Sequence, residues 1–450
     1  MAKLTTTFEC RHCGAAYPKW VGRCLSCGEW DCLDEVRKSP KAGASPPPLS
    51  QSAGRAKRVG EISADAHART PTGLAELDRV LGGGLVRGGV TLVGGDPGIG
   101  KSTLLLQALA SLASRGVKSL YVSGEESEGQ TAARARRLGA ADVAELYVAA
   151  ETELESVEKI LDELAPDVVV VDSVQTLRAS SEPGAAGTVG QLREVAARLV
   201  ARAKRDGFSA WLVGHVTKDG MLAGPKVLEH VVDTVLSFEG ERGHSLRTLR
   251  ALKNRFGSAT EVGVFEMAAE GLREVLSPSA LFLAERPRGA SGSVVAATSE
   301  GSRPLLVEVQ ALVGSAAPGN ARRTTSGVDG ARVAMLLAVL ERKGGLDVAG
   351  LEVFVNVAGG VRVDEPAIDL PIALALASSF KRRPLPDDLV AFGELGLAGE
   401  VRAVPRAPDR LVEAATLGFR RAVVPKGVEP RAGIEVVTVR TLADAIELLF

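Results

Sequence analysis

Two stretches of the chain carry residue types that act on phosphate. The first is GDPGIGKST, comprising Gly95, Asp96, Pro97, Gly98, Ile99, Gly100, Lys101, Ser102 and Thr103, which fits G-x-x-x-x-G-K-[ST]. Loop amides of this kind cradle phosphate oxygens, aided by the positive end of the helix that follows. At this spacing Lys101 reaches the β- and γ-phosphates and the Ser102 hydroxyl ligates Mg²⁺. The second is DVVVVDSV, in which Asp172 ends an apolar run and can serve the outer shell of that metal. Asp172 alone would be an ordinary strand end; paired with the loop it points to a nucleoside triphosphate with Mg²⁺. In YVSGEES, Glu125 and Glu126 offer carboxylates that can orient and deprotonate an attacking water, or form a solvated surface pair.

A third stretch, LKNRFGS, lies far from the phosphate loop and sets Lys253 and Arg255 two residues apart. On a strand, side chains at i and i+2 point the same way, so an anionic group is expected opposite them. On the residues alone, DNA phosphates or an exposed strand end with no special role are the readings that stand. VGHVTKDGMLAGPK adds His215, a γ-phosphate sensor or a structural histidine, and Lys218 and Lys226. These lysines are either DNA phosphate contacts, which position without reading sequence, or solvated.

The remaining chemistry is in cysteine. Cys10-x2-Cys13 and Cys24-x2-Cys27 form two knuckles, each followed by a glycine, Gly14 and Gly28. Four thiolates so spaced suit a tetrahedral Zn²⁺, and a module this small would owe most of its fold to the metal. Cys32 falls outside the pattern and reads as a plain thiol; His12 reads as solvated.

These residues need elements to hold them. GVTLVGG precedes the phosphate loop, and KSLYVSGEE, DVVVVDSV and AWLVGHV alternate with helical stretches. Short all-apolar strands between helices predict a parallel sheet covered on both faces. The expected organisation is a four-Cys zinc module at 1–35, a Pro/Ser/Ala/Lys-rich linker at 36–58, an α/β ATPase at 59–275 and a second α/β unit at 276–450. DTVLSFEGERGHSLRTLRALKNRFG reads as a hairpin that ends in the Lys253/Arg255 pair.

Composition excludes some classes. Of the 450 residues 45% are hydrophobic and 24% charged, with net charge −1, so any nucleic acid must be held by a local basic patch. The chain has no run of about 18–20 apolar residues and its start lacks a secretory apolar core. A cytoplasmic, membrane-free protein is expected, where cysteines serve metals more than disulfides.

The four-cysteine head, the phosphate loop, YVSGEES, VVDSVQT, VGHVTKDG and KNRFG occur in the order seen in the bacterial RadA/Sms proteins, DNA-repair ATPases of the RecA superfamily, which the chain resembles over essentially its whole length. The resemblance implies a RecA-like core and a hexameric ring that drives branch migration on single-stranded and branched DNA, beside a RecA-type recombinase. It puts Glu125 rather than Glu126 in the catalytic position. LKNRFGS also resembles the K-x-R-x-G stretch of DnaB-type replicative helicases, which implies that Lys253 and Arg255 reach a neighbour's γ-phosphate. VDEPAIDLPIALAL and FGELGLAGEVR resemble the proteolytic domain of Lon, but Ala367 stands where the serine should be and Pro408 where the lysine should fall. Without hydroxyl or amine there is no activated nucleophile. A Lon-like scaffold without peptidase activity is expected, serving oligomerisation and a basic surface in SFKRRP. Alternatives kept open are a regulatory ATP switch without translocation, an ATP-dependent protease, and a strand-exchange filament.

Overall fold

Runs such as VTLVGG and VVVVD have no polar face, so a strand built from them must be covered on both sides. The computed structural model describes residues 5–11, 15–38, 58, 68–216, 222–223, 227–240, 245–315, 321–348 and 350–450. Cys13, His12, Lys218 and Lys226 lie outside the described residues. The chain divides into two units, Met1–Val275 and Leu276–Phe450.

In the first unit Val90–Gly95, Ser119–Ser123, Val168–Asp172 and Ser209–Val213 are strands buried along their whole length. Alternate residues feed two separate cores. Val168, Val170, Trp211 and Val213 pack with leucines of the phosphate-loop helix Lys101–Ala113. Val169, Val171, Ala210 and Leu212 pack with residues of the helices Leu154–Leu164 and Val189–Asp206. Each buried valine or leucine among them stabilises the fold by about 1.5–3 kcal/mol relative to exposure, on both faces of the sheet.

Nine strands form that sheet, and the Val90–Gly95 strand lies between Thr234–Glu239 and Ser209–Val213. From Thr234–Glu239 through Val168–Asp172 to Leu146–Ala150 the neighbours are parallel. The sheet is nevertheless mixed, because Leu246–Asn254, Val262–Ala268 and Gly271–Glu274 extend it antiparallel. The hairpin supplies that extension: a short connection lets Leu246–Asn254 return beside Thr234–Glu239, whereas parallel pairing needs a long crossover. The edge strand Leu146–Ala150 is partly exposed, so it lacks the all-apolar signature that marks the others.

The head of the chain is a three-stranded antiparallel sheet in which Thr5–Cys10 lies between Ala16–Tyr17 and Leu33–Lys38. In the second unit, seven strands run in the order Arg323–Ser326, Leu351–Val357, Arg303–Ser315, Ser293–Glu300, Leu389–Ala391, Arg421–Pro425, Glu435–Val439. Helix Asp369–Lys381 is buried from Asp369 to Ser379 on every face, as an all-round apolar sequence requires. Among the described residues no helix is long and apolar enough to cross a membrane.

Candidate functional site

Parallel strands deliver their carboxyl ends to one edge of the sheet, where α/β folds bind ligands. Gly95 ends one such strand, and Ser123 pairs in register with Asp172 on another two. The phosphate loop turns between Gly95 and Lys101 with positive φ at Gly95, Gly98 and Gly100. A Cβ on Gly95 would stand 2.4 Å from the Phe238 carbonyl oxygen, so the neighbouring strand as well as the backbone angle demands glycine there. Lys101 opens the helix and is 4% exposed. Its Nζ donates to the carbonyls of Gly95 (2.7 Å) and Asp96 (3.0 Å). Burial lowers its pKa, while the charges of Asp172, Asp96 and Glu125 oppose that shift. Three carboxylates from three parts of the chain thus act electrostatically on one buried cation.

Asp172 is 8% exposed, and the Tyr121 hydroxyl donates to its Oδ2. Burial and then the Asp172 carboxylate push the Tyr121 pKa upward, against a hydrogen bond with Ser102. Ser102, Tyr121 and Asp172 thus converge, which fits a divalent cation shared by the Ser102 hydroxyl and the Asp172 carboxylate. Sequence reasoning missed Tyr121; its hydroxyl on a strand buried along its whole length was the signal.

The two glutamates of YVSGEES separate in role. Glu126 is ion-paired with Arg134, and its amide donates to Ser123 Oγ at 2.9 Å. Glu125 is exposed at the strand tip and accepts from Ser173 Oγ at 2.7 Å. Helix Glu128–Arg137, begun by a capping box of Ser127 and Gln130, fixes the loop from behind. Gly124 is required by contact, since a Cβ there would meet Thr176 Oγ1 at 1.9 Å.

Lys253 and Arg255 are not part of this cluster. The strand Leu246–Asn254 ends before Arg255, which lies in the following turn, so the pair is not on one strand face as the spacing suggested. Both still converge on residues 229–233. Lys253 Nζ donates to the carbonyls of Glu229 (2.6 Å) and Val232 (2.7 Å). Burial and then Arg255 lower its pKa, opposed by Asp233 and Glu229. Arg255 Nη1 is 3.2 Å from Asp233 Oδ1, with a side chain 51% exposed.

Asp233, 3% exposed, also accepts from Lys204 Nζ (3.3 Å) and from the Val90 amide (3.2 Å). It thereby ties the turn of the pair to the first residue of the phosphate-loop strand, and sequence reasoning missed it. The Asp233 amide bonds the Val90 carbonyl, and the Arg255 amide bonds the Asp233 carbonyl. Five residues of strand, about 17 Å at a rise of about 3.3 Å each, separate that level from Gly95. His215 begins the short strand His215–Val216, paired with Leu222–Ala223.

In the head, Cys10 Sγ lies 3.6 Å from Cys27 Sγ. Sulfurs around one tetrahedral zinc, with Zn–S of about 2.3 Å, stand about 3.8 Å apart, so this pair fits the metal. Cys24 is buried and its Sγ is 3.2 Å from the Tyr17 hydroxyl. The surprise is Cys32, read as a plain thiol: it is buried, with Sγ 3.4 Å from Cys10 Sγ. Burial, and then the Cys10 side chain, push its pKa to about 11. Strand pairing sets Cys10 opposite Leu33, which brings the preceding cysteine alongside.

In the second unit Ala367 is 1% exposed in a short turn of helix that leads into Asp369–Lys381, and Pro408 is exposed near the start of helix Ala407–Thr416. The surrounding charges are engaged with one another. Arg410, fully buried, is ion-paired with Glu365, donates to the Ala297 carbonyl at 2.7 Å and lies over the Phe392 ring. Asp369 pairs with Arg332 and accepts from the Leu395 amide at 3.1 Å.

Three family models match the chain: a rubredoxin metal binding domain at residues 8–35, an AAA domain at 56–221, and subunit ChlI of Mg-chelatase at 331–428. The chain is 52% identical to the DNA repair protein RadA of Pseudomonas aeruginosa, with 100% of both chains covered. It is 47% identical to that of Streptococcus pyogenes over 100% of both, and 48% identical to that of Halalkalibacterium halodurans over 100% of this chain and 99% of the relative. With an AAA domain behind a zinc-ribbon head and ahead of a Lon-like unit, and with identity along its whole length, the chain belongs to the RadA family of DNA repair proteins.

Proposed function

We propose that the chain is a DNA-dependent ATPase working as a hexameric ring on single-stranded and branched DNA. In this reading it moves the branch point of joints made by a RecA-type recombinase during recombination and repair. ATP is held by Gly95–Thr103, Mg²⁺ by Ser102 and Asp172, and Glu125 takes the proton of the attacking water. Lys253 and Arg255 act on the nucleotide of the next subunit, and Lys218 and Lys226 contact DNA phosphates. Zn²⁺ is held by Cys10, Cys13, Cys24 and Cys27, and the functional divisions are 1–35, 36–58, 59–275 and 276–450.

One observation carries the reading. Arg255 stands at the level of Val90 and Lys253 at that of Leu92, with Lys253 Nζ drawn to the Val232 carbonyl, toward the end of the phosphate-loop strand away from Gly95, which supports a role at the nucleotide of another subunit rather than at their own. A switch that assembles with ATP but does not translocate draws on the bonds Lys253 makes within its own chain. ATP turnover with and without single-stranded DNA, at low and moderate salt, separates the two. Strong, salt-sensitive stimulation supports the motor, because phosphate contacts weaken steeply with salt. Turnover indifferent to DNA at both salts refutes it and leaves the switch.

A further inference from the structure

Four cysteines of the head are spaced as knuckles, and among the described residues the sulfurs of Cys10, Cys27 and Cys32 lie within 4.8 Å of one another. The Cys10–Cys32 and Cys10–Cys27 separations, 3.4 and 3.6 Å, are both close to the roughly 3.8 Å expected between ligands of one tetrahedral zinc. Cys32 and Cys27 therefore flank Cys10 at comparable reach, and they differ in access. Cys10 and Cys32 are 1% and 3% exposed, whereas Cys27 is exposed. The Cys32 position is also set by the backbone: its carbonyl accepts from the Arg11 amide at 2.7 Å, and its Sγ lies 3.3 Å from the Glu29 carbonyl oxygen.

We propose that Cys32 is a spare ligand of the metal centre, taking the place of Cys27 when that exposed thiol is alkylated or removed. The buried sulfur completes a four-thiolate set while Cys27, the one a reagent in solvent meets first, is out of use. The proposal rests on the head binding zinc and is independent of the motor reading.

The test uses the full chain loaded with Zn²⁺, and with Co²⁺ as a spectroscopic substitute. C27S should keep about one metal per chain and a charge-transfer intensity typical of four thiolates. C32S should match the unsubstituted protein, and the C27S/C32S double variant, which lacks a fourth thiolate, should bind at least about 100-fold more weakly, beyond the roughly 10–100-fold that loss of an outer-shell partner costs. Equal loss in C27S and in the double variant overturns the proposal, as does loss in C32S alone. A second measurement needs no variant: in native mass spectrometry, chains alkylated once, at Cys27, should retain zinc, and release of zinc with that first alkyl group overturns the spare-ligand role. An unsubstituted chain that takes up neither metal overturns the zinc reading itself, and the proposal with it.

Discussion

The edge of the ATPase sheet and the head of helix Asp369–Lys381 are both places where a fold can present chemistry, and they use charge in opposite ways. At the sheet edge Lys101 sits under the influence of Asp172, Asp96 and Glu125, and Glu125 is exposed at its strand tip. At the helix head Ala367 offers no nucleophile, Glu365 is paired with fully buried Arg410, and Asp369 with Arg332. The first set is arranged around a loop of glycines with positive φ, the second inside a packed core. Opposite charges closed on one another in ion pairs specify structure; charge gathered at strand ends beside a glycine loop can meet a ligand.

Substitutions that break this contrast should have graded effects. Lys253→Ala should lower ATP turnover by about 10³–10⁵-fold if the lysine stabilises transition-state charge in trans, measured as steady-state phosphate release with DNA present. Glu125→Gln should lower turnover by about 10²–10⁴-fold, the usual contribution of a general base, with nucleotide affinity by titration largely kept. Arg410→Ala should destabilise the second unit by about 3 kcal/mol, because it leaves Glu365 without its buried partner. Tryptophan fluorescence cannot report that change, since Trp20, Trp30 and Trp211 all precede residue 276; hydrogen exchange along Leu389–Ala391 and Arg421–Pro425 can. Tyr121→Phe removes the donor to Asp172 and should cost about 1–3 kcal/mol, seen as lower stability and weaker Mg²⁺ dependence of turnover. The smallest effect is expected from Ala367→Ser combined with Pro408→Lys. Casein cleavage should stay at background, because the added hydroxyl would be buried at a site whose charges are already paired.

Much of the site was legible because its signals are local. The residues Gly95–Thr103 and the apolar run ending in Asp172 carry their own spacing, and the hairpin announces itself by two strands around a polar turn. What escaped depends on contacts far apart in sequence. Tyr121 reaches Asp172 and Ser173 reaches Glu125 across neighbouring strands, and Asp233 gathers Val90, Lys204 and Arg255. Cys32 breaks the knuckle spacing and joins Cys10 only through strand pairing. The expectation that Lys253 and Arg255 share a strand face failed because the strand stops at Asn254, whose side chain reaches back to the carbonyls of Val80 and Leu81.

The central claim is that one subunit's Glu125 works with another's Lys253, and complementation tests it directly. Glu125→Gln and Lys253→Ala chains, each inactive alone, are mixed in equal amounts under conditions that exchange subunits, and DNA-stimulated ATP turnover is measured. A finger acting in trans rebuilds complete sites between a Lys253→Ala subunit and a Glu125→Gln neighbour, so random mixing should restore about a quarter of the unsubstituted rate. A mixture no more active than its two components would contradict the account.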